Sequence, residues 1–455
     1  MPDPTRDLQR ICLVLPTDRA CEEMIAAIGA EAHHAADHFD AEVHLLILDS
    51  ADEHAYAVHA AMLNGMSRSP RVIVHHADEA AQRDFLRRVI RAAGPAKPDL
   101  VLDLMLPGGV SYGACTNRAF LYASALGCES IHRRDSDSRY QTARGRPVFP
   151  IHHELATVGR RAIEAVDEVS ETDWKLLDPA YAHRPVALVG GSFVGELSVD
   201  LGEIHELDRD AYRELVGLRA PGHWTPERRR ALVEESLRGA GSEPFVRDHS
   251  VLTVVDPMRV GMCNVAFHHE VYERVPLPPA LDTIGSDYFL MHLIQSAGLP
   301  GVLHNRDIVN FYTTERRTDA GFPAYQLRFA KSLLSMLYLN FIYGRMEEAG
   351  SSLLDASDHV RPDAVAELAR LSAGLDRAEN VERLRVIDGC YRGLGGRYAE
   401  FAVLLAERGP RLLDEAQADI EDFALLTELW QGLVQASKST DIGPVGRPGA
   451  PGRRR

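Results

Sequence analysis

No two cysteines of this chain stand at Cys-x-x-Cys spacing. The six it has are scattered at 12, 21, 115, 128, 263 and 390, which argues against zinc or disulfide frameworks and for reduced, buried thiols in a cytoplasmic protein. No stretch reaches the ~18 consecutive apolar residues of a membrane helix. The opening Met1-Pro2-Asp3-Pro4-Thr5-Arg6-Asp7 is polar and acidic, so neither a span nor a signal peptide is expected. Positive charge is in deficit. The net charge of −16 disfavours nucleic acid and anionic membranes as partners and would attract a cationic one. There is no Gly-x-x-x-x-Gly-Lys-Ser/Thr loop and no His-Glu-x-x-His, so neither a Walker site nor that class of zinc site is expected. What remains is an ordinary soluble balance, 45% hydrophobic and 25% charged, over 455 residues, enough for two domains.

Strand-like and helix-like segments alternate from the start. Residues 10–15 read as a buried strand closed by Pro16, and 20–36 as a helix opened by Thr17 or Asp18. Strands follow at 42–48 and 71–75, with a helix at 79–93. Short connections between such units predict a mostly parallel sheet covered by helices on both faces. Ligands of such sheets bind beyond the carboxyl ends of the strands. That rim would carry Pro16, Thr17, Asp18, Arg19, Asp49 and Ser50. Asp49 reads either as a turn or cap residue or as a hydrogen-bond partner of a nucleoside. The loop 107–113 leads into a helix at 114–126 whose first turn holds Asn117 and Arg118. Arg118 either faces solvent or meets a diphosphate.

The next segment carries chemistry. In Arg133-Arg134-Asp135-Ser136-Asp137, residues two apart point the same way at a strand end, so Asp135 and Asp137 converge on one hard cation. Carboxylates suit Mg²⁺ or Mn²⁺, which share their shell with a substrate's phosphates. Arg118, Arg133 or Arg134 would add positive charge near those phosphates. His152-His153-Glu154 reads as a surface or substrate contact rather than a metal site, because adjacent helical residues diverge. A charged helical segment at 207–240 reads as a solvated insertion or a lid, with Trp224 either stacking on a sugar or packing. Further on, Asp287 lies in a first helical turn, and a short strand ends at His304. A last strand is expected at 308–312, then helices at 325–346, 363–373, 380–394, 396–408 and 412–437, then a disordered tail over 438–455.

The order of these pieces resembles the GT-A class of nucleotide-sugar-dependent glycosyltransferases, especially the large family-2 type, over roughly residues 10–315. The carrying residues are Leu15 to Arg19, Asp49-Ser50, Asn117-Arg118, Asp135-Ser136-Asp137, the segment from Gly261 to Tyr272, Ser286-Asp287 and His304. His268-His269 stand there in place of the family's two arginines, and Ser286 in place of a glutamate. The resemblance implies a GT-A (Rossmann-like) α/β domain over 1–320, with an insertion or lid within 139–245 and a helical domain over 321–437. It implies donor contacts at Pro16, Thr17, Arg19, Asp49, Asn117, Arg118, Arg134, Asp135, Gly261 and Asn264. Asp135, Asp137 and His304 would hold Mn²⁺ or Mg²⁺, and Asp287 would be the base of an inverting transfer. The expected partners are a nucleoside-diphosphate sugar and a small-molecule acceptor, with no nucleic acid and no membrane. The acidic balance suggests a cationic, aminoglycoside-like acceptor. The C-terminal helices would cover the acceptor site, form a homodimer, or do neither. A sugar nucleotidyltransferase and a non-catalytic nucleotide-sugar-binding protein are the alternative readings.

Overall fold

The computed structural model describes residues 8–195, 199–222, 224–238, 244–310, 318 and 321–443. Two parts of the expectation, the end of the last strand at 311–312 and the tail beyond 443, lie outside the described residues.

Among the described residues twelve strands form: β1 (Gln9–Thr17), β2 (Ala41–Asp49), β3 (Val72–Ala77), β4 (Ser130–Arg133), β5 (Ser138–Tyr140), β6 (Thr142–Ala143), β7 (Arg146–Pro147), β8 (Glu171–Thr172), β9 (Leu188–Gly195), β10 (Ser250–Thr253), β11 (Val265–His268) and β12 (Gly301–Asn310). All but the small β6–β7 hairpin join one ten-stranded sheet, ordered β3-β2-β1-β4-β11-β9-β12-β10-β8 with β5 on β12. β1, β2, β3, β4, β9 and β12 run one way; β5, β8, β10 and β11 run against them. The α/β class with a mostly parallel sheet therefore holds. β1 and β2 are apolar and buried along most of their length, as strands covered on both faces must be.

The helices form where caps and periodicity agree. Glu79–Ala93 starts where the Asp78 carboxylate accepts the Ala81 N–H at 2.7 Å, and stops at Gly94, whose φ is 66°. Its Phe85, Leu86, Val89 and Ile90 are buried. Two helices not expected from the sequence, Glu53–Gly65 and Pro98–Met105, fill connections around the sheet.

The C-terminal helices are Gly321–Ala349, Pro362–Ala373, Ala378–Leu394 and Gly396–Lys438. The break expected between 408 and 412 is absent. Pro410 sits inside one long helix, whose Leu405, Leu412, Leu413 and Ala416 stay buried on either side of it. These helices share a hydrophobic core with the sheet region. Phe289 packs on Phe423 at 4.6 Å between ring centroids, and the buried Trp430 donates its indole N–H to the Tyr272 carbonyl at 2.8 Å. Within the expected insertion, β9 is a central strand of the sheet, whereas Leu201–Leu207, Arg209–Gly217 and Pro226–Arg238 are helices, of which the first, through Leu201, and the last line a cavity. No helix among the described residues is long and apolar enough to cross a membrane.

Candidate active site

The carboxyl ends of β1, β2, β4, β9 and β12 share one rim of the sheet. A cavity of about 1390 Å³ opens along it, walled on the far side by the lid helices and Gly321–Ala349. Pro16, Thr17, Arg19, Arg118, Asp135, Asp137, Gly261 and Asp287 all line this cavity. Asp49, Asn117, Arg134, Asn264 and His304 do not.

Arg133 organises the lining. Its guanidinium donates from Nη1 to Asp287 Oδ2 at 2.9 Å and lies 3.1 Å, through Nη2, from Asp135 Oδ1. Burial works against its charge, but Asp135 and Asp287 outweigh burial and hold its pKa above the ordinary value. Two acids 152 positions apart in sequence are thus joined by one side chain. Arg118, at the end of the cavity nearest Glu79, is fixed by Gln82 Oε1 at 2.8 Å and by the Met105 carbonyl at 2.7 Å. Burial lowers its pKa.

Strand alternation explains why Arg134 goes elsewhere. It points to the opposite face from Arg133. There it is fully buried, donating to Glu31 at 2.8 and 3.0 Å and to Glu154 at 2.9 and 3.1 Å. Arg134 is therefore not a phosphate ligand in this arrangement. Glu154 also accepts from His132 Nδ1 at 2.8 Å, so the His152-His153-Glu154 run is not a surface feature.

Asn117 and Asn264 hold backbone. The Asn117 amide both donates to and accepts from the Leu277 backbone, at 2.8 Å each, and Gly113 one turn earlier comes so close to the Pro278 carbonyl that a Cβ would lie 1.9 Å from it. The Asn264 amide donates to the carbonyls of Ser192 and Arg306, at 2.9 and 3.0 Å, between β9 and β12.

Asp49 is enclosed as well. Its Oδ2 accepts from His59 Nδ1 and His76 Nε2, each at 2.8 Å, and its Oδ1 from the Ala51 N–H at 3.0 Å. Burial raises its pKa, yet these hydrogen bonds win and lower it. Because the Cys21 N–H donates to His59 Nε2 at 3.1 Å, the trio is a hydrogen-bonded clamp rather than an open nucleoside contact. It is one of two His/acid groupings close enough for a metal among the described residues; the other is His268, His269 and Glu270, and neither includes Asp135 or Asp137.

His304 is separated from those aspartates because the two short strands expected at 300–304 and 308–312 are one strand, β12, over Gly301–Asn310. β12 bulges between His304 and Ile308; opposite the stretch from His304 to Asn310, β9 advances four residues, Gly191 to Gly195, which at ~3.3 Å each puts His304 roughly 13 Å short of Asn310. It stacks on His153 at 5.6 Å and accepts the Arg306 N–H on Nδ1 at 3.2 Å. Asn310, the last described residue of β12, lines the cavity, pairs with Ser138 of β5, and has a buried Oδ1 without a partner. Sequence reasoning missed Asn310 because it placed the strand end wrongly. Trp224 lines the lid side, with the Arg228 guanidinium stacked 3.8 Å above its ring.

Buried histidines make stability pH-dependent. Burial first, then neighbouring histidines, lowers the pKa of His304 and of His268 to about 3. A lowered histidine pKa means the folded state binds fewer protons than the unfolded one below about 6.5. The contribution is complete above that value and falls as pH drops toward 3. Each such group steepens the loss by up to about 1.4 kcal/mol per pH unit. Denaturation midpoints measured from pH 7.5 to 4.5 should fall accordingly, and His304→Gln should flatten the slope by about one proton.

The chain is similar to several solved structures. A mannosyltransferase from Pyrobaculum calidifontis, in complex with GDP-Man and Mn²⁺, is 15% identical, with 94% of this chain and 89% of that chain covered and a TM-score of 0.35. Glucosyl-3-phosphoglycerate synthase from Mycobacterium tuberculosis, in complex with Mn²⁺, UDP and glucosyl-3-phosphoglycerate, is 14% identical over 72% and 80% of the two chains, with a TM-score of 0.34. Mannosyl-3-phosphoglycerate synthase from Rubrobacter xylanophilus is 12% identical over 70% and 71%, with a TM-score of 0.30. Likeness at this level carries nothing about activity. No curated protein matches by sequence. A family model matches almost the whole chain, residues 9–445, and the chain belongs to that family, the family of unknown function DUF6271.

Proposed function

We propose that the protein is a metal-dependent glycosyltransferase of the GT-A type, moving a sugar from a nucleoside-diphosphate sugar to a small-molecule acceptor. The observation that carries this reading is Arg133 joining Asp135 to Asp287 at the rim of one large cavity. Pro16, Thr17 and Arg19 at the end of β1 offer a nucleoside wall, and Arg118 a cation near the phosphates. Asp135, Asp137 and the unpartnered Asn310 Oδ1 are an all-oxygen donor set of the kind Mn²⁺ or Mg²⁺ takes. Such an ion, when bound, neutralises the charge of a departing diphosphate.

The chain's own residues do the rest. Asp287 Oδ2 is held by Arg133, which orients the carboxylate and leaves Oδ1 for the proton of an acceptor hydroxyl. A base attacking side opposite the diphosphate gives inversion at the anomeric carbon. The lid helices and Gly321–Ala349 exclude water from the transfer.

Thermal shift with UDP, GDP, dTDP, CDP and ADP and their sugars, with and without Mn²⁺, tests the donor half. One diphosphate should stabilise the protein in a Mn²⁺-dependent way, by about 2.7 kcal/mol at one hundred times its Kd. EDTA or Asp137→Ala should abolish that increment. No response to any of these ligands would sink the reading. Binding without turnover over a broad acceptor panel would favour a non-catalytic nucleotide-sugar-binding protein.

A further inference from the structure

At the lid end of the cavity, four polar side chains gather without hydrogen-bond or ion-pair partners among the described residues. Arg219, Tyr288, His292 and Tyr343 all line it, and among the described residues the Arg219 guanidinium, the two phenol hydroxyls and the His292 ring make no hydrogen bond or ion pair. Polar groups enclosed in a protein are almost always paired, so a cluster left open toward a cavity is built for water or a ligand.

The cluster is rigidly mounted. The Arg219 carbonyl accepts from Asn340 Nδ2 at 3.0 Å, and the preceding Leu218 carbonyl accepts from Arg383 Nη1 at 2.8 Å, so two helices clamp the loop that presents Arg219. His292 stacks on Tyr343 with ring centroids 3.9 Å apart and planes 18° apart. Burial, and after it Arg219, lowers the His292 pKa to about 4, so its imidazole is neutral at pH 7. Burial likewise lowers the Arg219 pKa, and the groups that push it back are the phenols of Tyr288 and Tyr212, not carboxylates. The acids on the lid wall, Glu235 and Glu347, are exposed. The Tyr288 phenol is influenced by Asp287, Asp135 and Arg219 alike, so it bridges this cluster and the carboxylates at the rim.

We propose that this end of the cavity is an oxyanion subsite, and that the acceptor is a small hydroxylated anion, a carboxylate or phosphate ester, anchored by Arg219 with Tyr288 and His292. The proposal rests on the glycosyltransferase reading for the word acceptor, and on the unpartnered cluster for the anion. A guanidinium fork suits a planar or tetrahedral oxyanion. With the anion held there, the acceptor's hydroxyl gives its proton to Asp287, its oxygen bonds to the anomeric carbon, and the sugar–diphosphate bond breaks with its electron pair leaving on the diphosphate. The cationic acceptor suggested by the net charge of −16 has the opposite sign.

Calorimetry on the full chain without nucleotide tests this, with inorganic phosphate, glycerol 3-phosphate, glycerate, glycerol and ethanolamine as probes. The phosphate probes or glycerate should bind, and the stronger of them names the anion; glycerol and ethanolamine should not. Arg219→Gln should weaken the bound probe about 10- to 100-fold, the range of one charge-assisted contact. Arg219→Lys, which keeps the charge and the fold, should lose less. UDP or GDP binding with Mn²⁺ should stay within about twofold of the parent in both variants, because those contacts lie at the other end. Ethanolamine binding in place of the anions, or anion affinity unchanged in Arg219→Gln, would overturn the subsite. A parallel loss of nucleotide affinity would overturn it too, by giving Arg219 to the donor's diphosphate. Anion binding that survives while no nucleotide binds would remove the glycosyltransferase reading and leave the subsite standing.

Discussion

Asp287→Asn is expected to lower turnover with a matched donor and acceptor by about 10²- to 10⁴-fold, the share a positioned general base contributes. Asparagine keeps the shape of the side chain and can still accept from Arg133 Nη1, which is 2.9 Å from Asp287 Oδ2 in the parent. It cannot take a proton. The variant should therefore bind nucleotide with the same Mn²⁺ dependence as the parent, and the loss should fall on kcat. Two other outcomes have definite meanings. Unchanged turnover would remove Asp287 from the chemistry. Loss of nucleotide binding together with turnover would make Asp287 a positioning residue that acts through Arg133 and Asp135, which share the same bridge.

Arg134→Met is expected to give the largest loss of stability, about 3–5 kcal/mol, because it removes one partner of a buried charge cluster and strands the others. Glu31 would keep only Tyr140 and the Ile151 N–H, and Glu154 only His132. All three charged side chains of the cluster are fully buried. Two carboxylates stripped of their guanidinium must take up protons to stay folded, so the variant should also become less stable as pH rises. Urea unfolding at pH 7 measures the cost as a shift in midpoint at constant slope. The triple change Arg134→Met, Glu31→Gln, Glu154→Gln should recover much of it, since replacing a whole buried ion cluster is often close to neutral. A loss below about 1 kcal/mol in the single variant would mean that the cluster is hydrated, as surface pairs are.

The first half of the fold was legible in the sequence. Apolar runs such as Ile11 to Leu15, and caps such as Asp78, set strand and helix without help from distant residues. The rim residues Pro16, Thr17 and Arg19 followed from the strand ends. Asp135 and Asp137 also line the cavity, but β4 stops at Arg133 and a turn at Ser136 and Asp137 follows it, so Ser136 lines the cavity with them and the period of two does not govern their direction. The same period of two, extended one step back, would have separated Arg133 from Arg134. Other assignments failed for stated physical reasons. Asn117, Asn264 and Asp49 are polar residues beside a ligand site in sequence, yet Asn117 and Asp49 are used up by backbone or histidine partners that only folding brings near, and the Asn264 amide N–H groups are spent on two carbonyls while its Oδ1 is buried without a partner. His304 was assigned to a strand end that does not exist, because the polar Asn305, Arg306 and Asp307 look like a loop, whereas they form a bulge within β12.

What the sequence determined by itself is the class of fold and the two carboxylate motifs, since local periodicity and capping act within a few residues. What the tertiary structure decided is their pairing. Asp135 and Asp287 meet only because β4 is flanked by β1 and β11 and the helical turn at Ser286–Tyr288 is laid against the rim, where one buried Arg133 must satisfy both charges. It also brings Arg219, Tyr288 and His292 to one cavity, where the proposed anion subsite lies. Net charge sums over every surface side chain and is screened within about 10 Å at ordinary salt, whereas Arg219 would act on a ligand at contact, and the groups that raise its pKa are the phenols of Tyr288 and Tyr212.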